Sequence, residues 1–124
     1  MFKKQFSYEK RLKESSSIII KYPDKVPIIV EQGPGNKLPT LDKKKYLVHK
    51  DLTLSQFQYI IRKRIKINEN EAIFLFIDST IPCSSITIGS LYKYHKDVDN
   101  FLYITYIGEN VYGFFNTQLS HSFL

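Results

Sequence analysis

One cysteine, Cys83, stands alone in a chain of 124 residues. It excludes an intramolecular disulfide and fits a reducing compartment. Tryptophan is absent, so nine tyrosines and nine phenylalanines carry all the aromatic content. No apolar run approaches the roughly 20 residues that span a bilayer. Met1-Phe2-Lys3-Lys4 leads into polar residues, not into the apolar stretch of a secretory signal. Chemical signatures are also missing. There is no glycine-rich phosphate loop, and Gly33-Pro34-Gly35-Asn36 reads as a turn cluster. His49, His95 and His121 are scattered, Cys83 has no second thiol, and no spacing fits a metal site. Glu69/Glu71 and Asp97/Asp99 are acid pairs that read as solvated loop residues. An enzyme is therefore the least expected class, with no catalytic residue and no metal ligand to assign.

What is present fits one compact domain. A chain of this length buries about two-thirds of its unfolded surface without a disulfide or a metal. The hydrophobic fraction of 43% supplies a core. Eighteen Lys and Arg against twelve Asp and Glu leave a formal charge of +6, which favours acidic partners. Charge alone does not choose among nucleic acid, an anionic membrane surface and acidic peptides.

The pattern predicts a helix over residues 7–21, with Ser7 as N-cap and Tyr8, Leu12, Ser15/Ser16 and Ile19 along one face. Pro23 stops it near Tyr22. Residues 1–6 read as a frayed arm or one helical turn. Residues 25–32 alternate Val26, Ile28 and Val30 on one face with Pro27 and Ile29 on the other, as in a central strand packed between helices. Pro27 argues against full pairing at its own position, so an edge or bulge is expected there. Residues 45–49 return as a second strand. Thr53-x-x-Gln56 is a capping box, followed by Leu54, Phe57, Ile60, Ile61 and Ile65 at helical spacing. Arg62, Lys63 and Arg64 then complement the helix dipole. Residues 71–78 read as a strand, 86–94 as a short helix and 100–107 as the strongest strand.

This order predicts an α+β sheet covered on one face, with strand order 2-1-4-3 and a right-handed crossover placing the last strand parallel to the first. The strand at 45–49 becomes an open edge that invites a partner strand.

Six blocks stand out in order: Lys21 to Glu31, Leu41 to Val48, Asp51 to Thr53, Tyr59 to Ile65, Phe101 to Ile104 and Gly108 to Gly113. Together they resemble the GABARAP and microtubule-associated light-chain-3 family, the autophagy-related ubiquitin-like modifiers. The resemblance implies a β-grasp core, a four-stranded mixed sheet with two additional N-terminal helices. It divides the chain into a helical arm (1–22), a core (23–107), a conjugation tail (108–113) and a removable extension (114–124).

It also implies function. A cysteine protease cuts after Gly113, next to Tyr112; activating and conjugating enzymes then pass the glycine carboxyl group to phosphatidylethanolamine. No other cofactor is implied, and the protein would be cytoplasmic until lipidation places it on autophagosomal or other intracellular membranes. Receptors and adaptors would bind through aromatic-x-x-aliphatic peptides added along the second strand. By this resemblance the aromatic pocket maps to Glu14, Ile18, Pro27, Ile29, Lys45, Leu47 and Phe101. The aliphatic pocket maps to Tyr46, Val48, Leu52, Phe57, Ile60 and Ile61. Lys43, Lys45 and Arg64 would meet an acidic flank. His49 stands where the family usually has proline, which leaves the edge strand an extra N–H, and Cys83 replaces a second proline. A further family surface maps to Ile73 to Phe76, which reads from the sequence as a buried strand.

The alternative is a non-conjugated peptide-binding adaptor that keeps its tail. A basic binder using Lys3, Lys4, Lys10, Arg11, Lys13 and Arg62 to Arg64 ranks below both. Tubulin stays among the candidate partners and nucleic acid does not.

Overall fold

The computed structural model describes residues 1–109. The expectations for Tyr112, Gly113 and the extension 114–124 lie outside the described residues. Eight elements follow in order: α1 (Phe2–Gln5), α2 (Tyr8–Lys21), β1 (Lys25–Gln32), β2 (Lys45–His49), α3 (Leu54–Ile65), β3 (Ile73–Phe76), α4 (Ile88–His95) and β4 (Leu102–Gly108). Local chemistry sets most of the boundaries. The Ser7 hydroxyl accepts from Lys10 N at the start of α2, and Thr53 with Gln56 closes a reciprocal capping box on α3. Thr87 accepts from Ser90 N and starts α4 one residue later.

The strands form one sheet in the order β2-β1-β4-β3. β1 runs antiparallel to β2 and parallel to β4, and β3 runs antiparallel to β4. The architecture is the expected β-grasp, with β2 and β3 as its edges. Alternation sends Val26, Ile28, Val30, Tyr46, Val48, Leu102, Ile104 and Tyr106 into the main core, with Leu54, Phe57 and Ile61 of α3 and Ile88 and Leu91 of α4. Fully burying one such aliphatic or Phe side chain contributes about 1.5–3 kcal/mol.

The sheet is not covered on one face only. Phe2 of α1, 2% exposed, packs with Ile29, Phe101 and Tyr103 on the opposite face, and its N–H donates to Glu31 Oε2 at 2.8 Å. A lone Phe beside Met1 carries no periodic signal, which is why the sequence left this arm undecided.

Three other expectations are corrected. Pro27 marks neither an edge nor a bulge: β1 is central and Pro27 pairs in register with Leu47. Val30 N donates to Lys44 O and Lys50 N to Asp24 O, so even-numbered β1 residues face β2 with their polar groups and odd ones face β4. Pairing with β4 begins only at Ile28. Pro27 therefore lacks its N–H where no ladder bond is required. Asp99 is not a solvated loop acid. It is fully buried, takes Arg11 and the Tyr103 hydroxyl on Oδ2, and accepts from Phe101 N on Oδ1 at 2.9 Å. Finally, residues 73–76 are not wholly buried: Ile73 and Leu75 join the main core, while Phe74 and Phe76 turn to the other face, half-buried, opposite Ile107 and Thr105.

Candidate functional site

The edge strand β2 is where backbone geometry and side chains converge. By the register above, Tyr46 and Val48 hydrogen-bond inward to β1, and the N–H and C=O groups of Lys45 and Leu47 point outward. His49 also directs its N–H outward, while its carbonyl accepts from Leu52 N at 3.1 Å. An added strand meets a row of unpaired donors and acceptors here, the arrangement that drives β-augmentation.

Two different surfaces flank this row. On the α2 side stand Pro27, Ile29, Lys45, Leu47 and Phe101, with Glu14 and Ile18 on α2 itself. Lys45 Nζ donates to Glu14 Oε1 at 2.8 Å and lies 5.5 Å from the ring centroids of both Phe2 and Phe6. Leu47 is 37% exposed, whereas Ile29 and Phe101 are buried beneath Phe2. Leu47, Lys45 and the half-buried Ile18 can therefore touch a ligand directly, and Ile29 and Phe101 only where their cover moves.

On the α3 side, Tyr46, Val48, Phe57 and Ile61 are core residues, with the Tyr46 and Phe57 rings edge to face at 5.6 Å. The accessible members of this group are Ile60, 42% exposed, and the half-buried Leu52. At the N-terminal end of the edge, Arg64 Nε donates to Asp42 Oδ1 at 3.0 Å and Lys43 Nζ lies 5.2 Å from the Tyr46 ring centroid. An acidic ligand here competes with Asp42 for Arg64. The structure thus brings the mapped residues to one edge but splits them between opposite faces of the sheet, with the free backbone of β2 between.

Tyr46 adds an electrostatic detail. Its hydroxyl is buried and has no hydrogen-bond partner among the described residues. Burial, with smaller contributions from Asp42 and Tyr106 and partly offset by Arg64, pushes its pKa up to about 12. A raised tyrosine pKa contributes stability that is complete below the ordinary value near 10 and is lost as pH climbs through the folded value. A buried unsatisfied hydroxyl costs about 1–3 kcal/mol. Tyr46→Phe is therefore expected to raise stability by about 1 kcal/mol in urea denaturation at pH 7. In alkaline ultraviolet titration it should also remove one late-ionising tyrosine. A lower urea midpoint for the variant would show that the hydroxyl is satisfied in solution.

Among the described residues no group of three or more His, Cys, Asp or Glu side chains could hold a metal. The exposed Cys83 thiol is held below its ordinary pKa by Ser85, through side chain and backbone.

Comparison with known proteins decides the family. A family profile described as "Autophagy protein Atg8 ubiquitin like" matches residues 10–113. The chain belongs to the Atg8 family. It is 51% identical over 112 residues to autophagy-related protein 8 of Schizosaccharomyces pombe, covering 90% of this chain and 93% of that protein. Over 116 residues it is 49% identical to autophagy-related protein 8 of Colletotrichum lindemuthianum, covering 94% and 96%. The crystal structure of Trypanosoma brucei ATG8 superposes with a TM-score of 0.83 at 34% identity, covering 87% of this chain and 93% of that one. The fold is therefore ubiquitin-like, and the family is one of autophagy proteins.

Within this Atg8 chain, the residues that sequence reasoning missed are those that set the wall of the edge. Arg11 and Ser15 of α2 both bind Asp99, the serine hydroxyl donating to the Asp99 carbonyl at 2.6 Å. The small polar Ser15 on an otherwise apolar helix face was the one available signal.

Proposed function

We propose that this Atg8 protein is processed after Gly113 and conjugated through that glycine to phosphatidylethanolamine, and that β2 then recruits receptors and adaptors by binding aromatic-x-x-aliphatic peptides. The observation that carries the peptide half is the outward backbone of Lys45 and Leu47 lying between the Leu47 and Ile60 surfaces. The conjugation half rests on family membership and on the match of Gly108 to Gly113.

On this reading residues 108–113 are the conjugation tail and 114–124 the removable extension. A cysteine protease hydrolyses the Gly113–Phe114 bond. An activating enzyme adenylates the new carboxylate with ATP, releasing pyrophosphate, and a cysteine thiol displaces AMP to form a thioester. The lipid amine then displaces the thiol, leaving an amide. Glycine suits this route because the absence of Cβ lets it thread narrow active-site channels. No helix among the described residues is long and apolar enough to cross a membrane. The anchor in this scheme is the two acyl chains of the lipid, which give stable attachment. The protein would be cytoplasmic before conjugation and on autophagosomal membranes after it. Tubulin remains a candidate partner for the basic surface.

The test is reconstitution with protease, activating and conjugating enzymes, ATP and phosphatidylethanolamine vesicles. Wild-type protein is expected to gain mobility on a urea gel and float with the vesicles, and Gly113→Ala to do neither. Lipidation of Gly113→Ala would sink the assignment. The eleven residues from Phe114 to Leu124 favour one second reading, an unconjugated adaptor that keeps them. Intact mass of the cellular protein separates the two: a chain ending at Gly113 supports processing.

A further inference from the structure

A groove of about 520 Å³ lies on the face of the sheet opposite α3, over β4 and β3. Phe76, Tyr103, Thr105 and Ile107 form its floor, with Pro34 at one rim. Its one carboxylate, Asp78, is engaged by His95 Nδ1 at 2.7 Å. What remains is an apolar surface of the size that binds protein segments. The N-terminal helices cover the β1 side of this same face, through Phe2 and α2.

The chain's own continuation begins at the mouth of this groove. β4 ends at Gly108, next to the groove residue Ile107, and its exit is fixed by Gly108 N donating to Asn36 Oδ1 at 2.8 Å. Residues 110–124 contain no Asp, Glu, Lys or Arg in a chain that is 24% charged. They carry Phe114, Phe115, Leu119, Phe123 and Leu124 instead. Five extended residues from Glu109 reach about 17 Å, and the groove from Ile107 back to Tyr103 is about 13 Å long. Phe114 and Phe115 are thus within reach, and a tethered segment competes at an effective concentration on the order of millimolar.

We propose that in the full-length chain the segment 114–124 docks in this groove through Phe114 and Phe115. Cleavage after Gly113 then has two results: it frees the carboxyl group for conjugation and opens the groove to partners. The second result rests on the processing proposed above, and the docking does not.

The test uses full-length protein with ¹³C-labelled Ile and Thr methyl groups, compared with the full-length Phe114→Ser/Phe115→Ser variant. Neither substitution touches a residue of α1–α4 or β1–β4, and a circular dichroism melt checks that the variant keeps the fold. The expected result is ring-current-shifted Ile107 and Thr105 methyl resonances, with nuclear Overhauser contacts to Phe114 or Phe115 ring protons, both lost in the variant. Coincident Ile107 and Thr105 resonances in the two proteins would overturn the docking. So would shifts that vanish on dilution, since these assign the groove to a second copy's tail. Processing is read separately, by intact mass, so either idea can fail alone.

Discussion

Asp99→Ala is expected to destabilise the fold by about 3–5 kcal/mol, the cost of stranding a buried charge partner. For a domain of this size that is a fall in melting midpoint of roughly 10–20 °C. Asp99 is fully buried, and Arg11 and the Tyr103 hydroxyl converge on one of its carboxylate oxygens. Its other oxygen accepts from Phe101 N, fixing the entry to β4. Removing the carboxylate leaves a guanidinium and a phenol, both half-buried, without their acceptor. The Tyr103 hydroxyl is held far above its ordinary pKa by burial and then by the bond to Asp99, with Arg11 acting the other way. Asp99→Asn keeps the shape and loses the charge, so it should fall between wild type and Asp99→Ala. Local effects follow as well, because the Asp99 carboxylate holds α2 through Arg11, and α2 carries Glu14 and Ile18. Peptide affinity should drop even at temperatures where Asp99→Ala is folded. A melting midpoint within a degree or two of wild type would show that the cluster is solvated.

The neighbouring Asp97 adds a smaller acid dependence. Burial opposes its charge, but Lys3 and the Asp99 N–H outweigh burial and hold its carboxyl below the ordinary value of 3.8. A depressed carboxyl contributes stability that is present above the unfolded value and disappears as pH falls through the folded one. Because Lys3 is half exposed, solvent screening keeps this contribution small.

These acids show where sequence reasoning stops. β2 and the start of α3 were legible because their signals are local: alternation in Tyr46-Leu47-Val48 and a capping box spanning Thr53 to Gln56. The expected strand at 71–78 shrinks to Ile73–Phe76 because Ile77 pairs with Thr80 around Asp78 and Ser79, both at positive φ. Such a turn usually asks for glycine or asparagine, so this sequence hides it. The last strand starts at Leu102, not residue 100, for a related reason: Asn100 has φ 66° inside a turn closed by Asp97 N donating to Phe101 O.

Side-chain contacts across long separations left almost no local trace. Arg11 and Asp99 are 88 residues apart, and Phe2 reaches Phe101 across nearly the whole chain. Arg11, Asp99 and Phe2 do not differ in local pattern from a solvated Arg, a loop Asp or a frayed Phe. The mapped pockets carry the same lesson in reverse. The resemblance named Phe57 and Ile61 beside Ile60, but only three-dimensional burial separates the accessible Ile60 from the two that support it.

That separation leads to the second large effect. Leu47→Glu is expected to weaken binding of an aromatic-x-x-aliphatic peptide by at least about tenfold, or 1.4 kcal/mol. Leu47 is 37% exposed on the edge strand, so its replacement leaves the core intact and stability should shift by no more than about 0.5 kcal/mol. The substitution removes an apolar contact beside the added strand and places a carboxylate where the ligand itself carries acids. Ile60→Glu should weaken the same peptide through its aliphatic residue. Leu47 and Ile60 lie on opposite sides of the β2 backbone, with no shared partner, so their losses should add within about 0.5 kcal/mol. A peptide with alanine in place of its aromatic residue should lose its sensitivity to Leu47→Glu while keeping that to Ile60→Glu. Calorimetric titration of wild type and both variants with the two peptides completes the cycle. Unchanged affinity in a folded Leu47→Glu protein would move the ligand away from β2, because no strand added along that edge can avoid position 47.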